Sequence, residues 1–219
     1  MKNPEQVPNQ ELEINPKKEI SPELVRAIEQ EALHVDDKVN ILLTKAGLKP
    51  ASEITLTIRT WNEEENNKHM AEDDIQRDVW IIKELGIPVQ FGSREVVEIV
   101  EDNKKYHREE IRILIRKTQK DLDFLIEAQK SKDNELLGRA YGFPSTAVDA
   151  WVGKGKKLDV RRLPKKIRES EAMLFSSPTL SADNWRKEIE QGQRDADYIK
   201  GISPFIYKEL IEMMKRSRK

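Results

Sequence analysis

The sequence predicts an α+β protein, in which a small mixed β-sheet with a crossover helix is followed by a helical carboxyl-terminal half. Two observations lead to this prediction. Short segments with the pattern of strands, residues 53–60, 87–91 and 111–115, all lie in the first 118 residues. After Thr118 the apolar residues recur at helical spacing, and no clear strand pattern follows.

The amino-terminal region should hold a flexible tail and two helices. Residues 1–20 are polar and carry three prolines, and such a stretch buries too little apolar surface to offset the entropy of ordering. Ser21 followed by Pro22 is a helix start signal. A second helix is expected over residues 37–46, because Gly47 provides a stop signal.

A crossover is predicted between the first two strands. Residues 53–60 (EITLTIRT) alternate apolar and polar side chains, as a half-buried strand does. Apolar residues then recur at helical spacing, at Ile75, Val79 and Ile82. The apolar segment at residues 87–91 follows as a second strand. Strand, helix and strand in this order predict a right-handed crossover between two parallel neighbours.

Residues 94–103 fit either a strand or an amphipathic helix. Their β-branched side chains and the turn-like pair Asp102 and Asn103 favour a hairpin with the strand at residues 111–115. The sheet would then be mixed, because it would contain both parallel and antiparallel neighbours. If residues 94–103 are helical instead, the element order becomes a βαβαβ α/β core.

The second half of the chain should be helical and should pack on the sheet. Thr118 and Asp121 resemble the capping pair of its first helix, and Ser203 before Pro204 starts its last helix. The predicted divisions of the chain are a flexible tail at residues 1–20, an α/β part at residues 21–118 and a helical part at residues 119–219.

Composition restricts the classes of function. Charged residues make up 36% of the chain, but the formal net charge is −1, so the chain as a whole is not a basic nucleic-acid-binding protein. The lack of cysteine excludes disulfides, thiol nucleophiles and cysteine-bound zinc. No apolar run approaches the length of a membrane span, and the first residues do not resemble a secretory signal. We therefore expect a soluble cytoplasmic protein with no membrane partner.

Residues 135–152 (ELLGRAYGFPSTAVDAWV) predict two short helices joined at Gly142. Gly138, Gly142 and Val148 have the spacing of the DNA-binding helix-turn-helix, whose framework this segment resembles. The outward positions of the second helix would hold no cation, and they are Pro144, Ser145, Thr146, Asp149, Ala150 and Gly153. A recognition helix needs cationic or amide side chains there, so we favour a packed helical hairpin with Trp151 in its core.

A basic segment follows at residues 153–168, with eight cations against one acid and hence a formal charge of +7. The cations are Lys154, Lys156, Lys157, Arg161, Arg162, Lys165, Lys166 and Arg168. The segment would either grip nucleic-acid phosphates or remain a solvated face that pairs with acids. Acids for such pairing occur in residues 61–78, where seven acids stand against two cations.

The stretch LGRAYGFPSTAVDAW, at residues 137–151, also resembles the Leu-Gly…Gly-[Tyr/Phe]-Pro segment of an uncharacterised family of prokaryotic proteins. The likeness rests on Leu137, Gly138, Gly142, Phe143, Pro144, Val148 and Ala150. Some members of that family carry a Cys-Cys pair after the proline, where this chain has Thr146 and Ala147. The resemblance therefore implies a structural context for the segment, without thiol chemistry and without a particular activity.

The best candidates for chemistry lie at and just after the end of the first strand, at Arg59, Trp61, Asn62, Glu63, Glu65 and His69. In parallel α/β units ligands gather at the carboxyl ends of strands, so these side chains are placed to bind a polar ligand or a hard metal. The alternative, which we favour, is that the acids stabilise the start of the next helix. The three histidines lie far apart in sequence, and we expect no metal site and no cofactor.

Three functions follow from these patterns, in order of preference. The first is a non-enzymatic interaction or binding protein, whose partner is another protein or a second copy of the chain. The second is nucleic-acid binding through residues 135–152 and the basic segment. The third is an enzyme with its site in the loop at residues 59–69.

Overall fold

A computed structural model describes residues 20–31, 33–61, 68–69, 72–101 and 104–217 of the 219-residue chain. The first part of the chain forms α1 (Pro22–Gln30), α2 (Val35–Ala46), β1 (Ala51–Trp61), β2 (Lys68–His69), α3 (Glu72–Glu84), β3 (Val89–Glu101) and β4 (Lys104–Arg116). The second part forms α4 (Gln119–Ser131), α5 (Asn134–Ala140), α6 (Ser145–Trp151), a 3₁₀ turn (Val160–Arg162), α7 (Lys165–Arg168), α8 (Ala172–Phe175), α9 (Trp185–Ile202) and α10 (Pro204–Ser217).

The α+β class and the helical carboxyl-terminal half are confirmed, and local signals in the sequence set several helix ends. Ser21 caps α1, and Pro22 is the first residue of that helix. Gly47 ends α2 in the left-handed conformation, with a φ of 77°. Thr118 caps α4 by accepting a hydrogen bond from the Asp121 N–H at 3.2 Å.

The sheet differs from the predicted mixed sheet, because every pairing among the described strands is antiparallel, in the order β2-β1-β4-β3. The chain does cross from β1 through α3 to β3, but β4 lies between those two strands. The prediction of parallel neighbours is therefore wrong. The physical reason is that β3 and β4, which follow each other in the chain, pair with each other, and β1 pairs with the other side of β4.

The predicted strand at residues 87–91 and the ambiguous segment at residues 94–103 largely form one long strand, β3. A register shift between Phe91 and Arg94 marks a bulge within it. The hairpin interpretation is thus confirmed for residues 94–101, and the βαβαβ alternative is wrong. Asp102 and Asn103, where the sequence predicts the turn, lie outside the described residues.

Helices cover both faces of the sheet. On one face, Ile54, Leu56 and Ile113 belong to a buried cluster that also takes residues from α1, α2, α3, α9 and α10. On the other face, Ala51 and Leu114 pack with residues of α4 and α5. No helix in the described part of the chain combines the length and the apolar character needed to cross a membrane.

Ile20, the last residue of the predicted flexible tail, is packed in the fold. Ile20 is 5% exposed and packs in the same buried cluster as α1 and α2. Residues 1–19 lie outside the described residues.

Candidate binding cleft

The helical hairpin of residues 135–152 has the predicted spacing. Gly142, between α5 and α6, has a φ of 76°, which favours glycine. It also packs closely against Pro50, because a Cβ on residue 142 would lie 2.1 Å from Cγ and Cδ of that proline. Gly138 faces Val148, since a Cβ on Gly138 would lie 2.9 Å from a Val148 methyl carbon. The hairpin is therefore packed internally and also against the loop that follows α2.

The turn of this hairpin forms one wall of a cleft of about 1160 Å³. The other walls come mainly from one side of α2 with its following loop, from the region of α8, and from α9. Apolar lining side chains include Leu43, Phe143 and Phe175. Exposed cations, among them Lys117, Lys187 and Arg194, also belong to the lining.

Glu188 on α9 is a buried acid that fastens two walls together. Glu188 is 3% exposed. Its carboxylate accepts hydrogen bonds from Thr146 Oγ1 at 2.5 Å and from the Ser181 N–H at 2.8 Å. Thr146 lies on α6, so this carboxylate joins α6 to α9. Because its acceptors are used in this way, we assign Glu188 a structural role.

Asp195, seven residues further along α9, has fewer partners. It is 8% exposed and accepts a hydrogen bond from Gln191 Nε2 at 2.9 Å. Burial raises the pKa of its carboxyl to about 6, and the nearby charges of Arg194 and Lys49 only partly oppose that shift. A carboxylate can accept about four hydrogen bonds, so Asp195 keeps capacity for a ligand.

Lys49, in the loop after α2, supplies a donor to the same cleft. Its ammonium group donates to Asn40 Oδ1 at 2.8 Å. Burial lowers the pKa of Lys49, and the charges of Asp195, Asp36 and Asp37 act in the opposite direction. An ammonium group has three donors, so Lys49 and Asp195 offer one cleft both a donor and an acceptor.

A buried cation supports the wall that carries Tyr141. Arg116, at the end of β4, is 1% exposed, and its Nη1 donates to the carbonyl of Ala140 at the end of α5. Burial lowers the pKa of Arg116 to about 10, against the opposing influence of Asp121 and Tyr141. The Tyr141 hydroxyl donates to Glu53 at 3.1 Å. These contacts tie the turn of the hairpin to the sheet.

The eight predicted cations of the basic segment are all exposed and lie outside the lining of the cleft. Lys154 pairs with Glu135, Arg161 with Asp159 at 2.9 Å, and Lys165 with Glu169 at 3.9 Å. Arg162 also approaches Asp159, at 3.9 Å. Of these partner acids, Asp159 lies within the segment, Glu169 directly follows it and Glu135 lies on α5, so none comes from residues 61–78.

Trp151 is not a core residue, contrary to the sequence prediction. It is 48% exposed at the last position of α6 and lines a small apolar pocket of about 60 Å³ with Pro178 and Thr179. The helix ends there, so only part of the indole is covered. Ala150, expected to point outward, is instead 4% exposed. The apolar face of α6 is therefore rotated toward Ala150 from the face inferred from sequence.

The predicted ligand loop gives only fragments of a site. Asn62, Glu63 and Glu65 lie outside the described residues, and the backbones of Arg59 and His69 are register partners in β1 and β2. The Trp61 ring stacks on that of His107, with centroids 5.5 Å apart. A ligand at this strand end is expected for parallel strands, and the described strands pair antiparallel.

Sequence reasoning missed the cleft acids, although α9 carries a readable signal for them. The buried residues of this helix are Glu188, Gly192, Asp195, Ala196 and Ile199. They recur at the spacing of one helix face. Two acids in a stripe of small and apolar residues indicate buried carboxylates, and a buried carboxylate needs either a structural partner or a ligand.

No family model, no curated protein and no solved structure matches the chain. The resemblance of residues 137–151 to a prokaryotic family stays a prediction.

Proposed function

We propose that the chain is a non-enzymatic binding protein that takes a short segment of a partner protein into the cleft. The observation that carries this proposal is the cleft itself, whose volume of about 1160 Å³ holds apolar surface together with Lys49 and Asp195. Pockets for small molecules usually measure about 300–1000 Å³, so this cleft suits a longer occupant.

The two polar groups match the backbone of a peptide. A peptide carbonyl would accept a hydrogen bond from Lys49, and a peptide N–H would donate to Asp195. Apolar side chains of the same segment would pack on Phe143 and Phe175, which line the cleft. The hydrogen bonds would fix the orientation of the peptide, while burial of apolar surface would supply most of the affinity.

A random peptide library displayed on phage tests the proposal. Peptides selected on the wild-type protein are synthesised, and their dissociation constants are measured by fluorescence anisotropy. Lys49→Met removes the donor while keeping the aliphatic stem, and Asp195→Asn removes the charge while keeping the shape. Lys49→Met should weaken binding by about tenfold or more, the loss of roughly one hydrogen bond from a charged group. Asp195→Asn should weaken binding by a smaller factor, because the amide oxygen still accepts a hydrogen bond but no longer carries a charge.

Lys130→Met is the matched control, because Lys130 is exposed on α4 and does not line the cleft. It should bind the selected peptides as the wild type does. Selected peptides whose affinities are the same for the wild type, Lys49→Met and Asp195→Asn would contradict a site in the cleft.

A second candidate function is the binding of single-stranded nucleic acid, and the exposure of Trp151 favours it. The 48% exposed indole lies two residues before the basic segment, whose eight cations are all exposed. Aromatic rings beside basic grooves stack on unpaired bases, at about 1–3 kcal/mol per base. Asp149 is a local acid that opposes phosphate, which makes this the second choice.

The binding of labelled single-stranded DNA and RNA at rising salt tests the second candidate. Replacing Arg161, Arg162, Lys165 and Lys166 with glutamine should reduce the slope of log affinity against log salt, because fewer counterions are released. Trp151→Ala should weaken binding while leaving that slope unchanged. Affinity that is negligible at low salt, or that is insensitive to both variants, would contradict the candidate.

A further inference from the structure

Strand β3 forms an open edge of the sheet. It runs for 13 residues, Val89–Glu101, and among the described strands it pairs with β4 alone. Its other side therefore presents backbone N–H and C=O groups to which a further strand can bond. Long edges of this kind are commonly protected or used for association.

The outer half of β3 also exposes large apolar side chains. Val96 is 58% exposed and Val100 is 64% exposed, and the even spacing of the two residues places them on one face of the strand. The bulge between Phe91 and Arg94 interrupts the register at the inner end of this half. The regular part of the open edge thus begins at Arg94.

We propose that two copies of the chain associate through this edge, with their β3 strands antiparallel and Val96 opposite Val96 on the twofold axis. The two four-stranded sheets would then become one continuous sheet. A twofold interface of this kind is self-complementary, because every contact away from the axis occurs twice. The proposal does not depend on the cleft.

Charge selects this register from the neighbouring ones. With the axis at Val96, Arg94 of each copy faces Glu98 of the other, so two opposite-charge pairs form. An axis at Val97 would place Arg94 against Val100 and lose both pairs. An axis at Glu95 or at Glu98 would place that acid against its own copy, which is repulsive.

The charges needed for this pairing are present at the edge. The Arg94 side chain is 67% exposed and lies 3.7 Å from Glu109 of β4. The Glu98 side chain is 51% exposed and lies 2.9 Å from Lys105 of β4. Bringing two edges together would extend these pairs into rows of alternating charge across the new interface.

A charge exchange at the twofold axis tests the proposal by sedimentation equilibrium. The wild type should be a dimer. Val96→Lys and Val96→Glu, each alone, should raise the dimer dissociation constant by about tenfold or more, because two like charges would meet at the axis. An equal mixture of the two variants should regain the dimer, since Lys then faces Glu.

The mixture distinguishes a lost interface from a damaged fold, because a misfolded variant would not be rescued by its partner. Phe124→Lys is the control, since Phe124 is exposed on α4, and this variant should remain dimeric. A monomeric wild type would overturn the proposal. So would dimers that persist in both Val96 variants, or two monomeric variants whose mixture stays monomeric.

Discussion

Gly142 and Gly153 share a left-handed backbone and differ in their surroundings. Their φ angles are 76° and 83°, but a Cβ on Gly142 would meet the Pro50 ring at 2.1 Å, whereas a Cβ on Gly153 would meet nothing within 4 Å. Gly153→Ala should therefore cost only the strain of positive φ, about 1 kcal/mol. Gly142→Ala should cost on the order of 1–3 kcal/mol more, because the ring must move.

Urea unfolding of the two glycine variants, followed by circular dichroism, measures this difference. Equal free energies of unfolding would show that the loop around Pro50 yields without cost and that the hairpin is not held against it.

Asp195 should make stability depend on pH. Its pKa is raised by burial from 3.8 to about 6, so the folded state binds a proton more tightly than the unfolded state between those two values. The contribution of this group to stability is full below the unfolded pKa and is lost as the pH rises through the folded pKa. Asp195→Asn, which resembles the neutral acid, should then stabilise the protein near pH 7 by on the order of 1–3 kcal/mol.

The gain from Asp195→Asn should shrink to almost nothing near pH 4, where the wild-type carboxyl is largely protonated in the folded state. Asp195→Asn also removes the attraction between the carboxylate and Lys49. We therefore expect the stabilisation near pH 7 to lie in the lower part of the range given above. The exposed Asp183→Asn is the control and should change the free energy of unfolding little at either pH. A variant at position 195 that is less stable than the wild type near neutral pH would show that the charge itself is needed.

Residue-level features that depend on neighbours in sequence could be predicted, and those that depend on tertiary cover could not. The caps at Ser21 and Thr118 and the turn at Gly142 follow from backbone chemistry within a few residues. The exposure of Trp151 depends on whether a distant segment covers the end of α6, and helical spacing carries no information about that.

At the scale of the element, α4 shows how one face of a helix carries its stability. Leu125 is fully buried against the sheet, while its neighbour Phe124 is 39% exposed. Leu125→Ala should lower the free energy of unfolding by about 2–5 kcal/mol, because a cavity remains in the packed cluster. Phe124→Ala should cost clearly less, although phenylalanine is the larger residue.

Thermal and chemical unfolding of this adjacent pair tests the orientation of α4. If Phe124→Ala proved the more destabilising of the two, the helix would have to present a different face to Ala51 and Leu114.

The strands could be predicted as elements, but their order could not. Alternation marks residues 53–60 because one face of that strand is buried, and β-branched side chains mark the segment at residues 94–101 because they favour an extended backbone. Neighbours in the sheet are set by competition among all edges. β3 and β4 follow each other in the chain and pair with each other, and β1 pairs with the other edge of β4. The order of the strands in the sequence does not reveal that β1 pairs with β4 and not with β3.

At the scale of the molecule, the candidate cleft joins Lys49 to Asp195, which lie far apart in the chain. The sequence predicts that residues 135–152, which form one wall of the cleft, are a packed helical hairpin. It gives no sign that this hairpin contacts α2 and α9. The contact between Gly142 and Pro50 and the bond from Thr146 to Glu188 create the connection. A binding site built from several distant segments is hard to predict from sequence, because the pattern of each segment is already explained by its own helix, turn or loop.

The sheet also has a consequence for the time course of folding. Its pairing of Ala51 with Arg116 closes a long loop, whereas the register partners Glu101 and Lys104 lie close together in the chain. Loop closure costs more entropy as the loop grows, so the hairpin should form early and β1 should arrive late. In refolding followed by pulsed hydrogen exchange, amides of residues 104–111 that bond to β3 should become protected before those of residues 51–57. A hairpin that forms before β1 pairs with it would leave both of its edges open to other chains, so refolding at high protein concentration should favour aggregation.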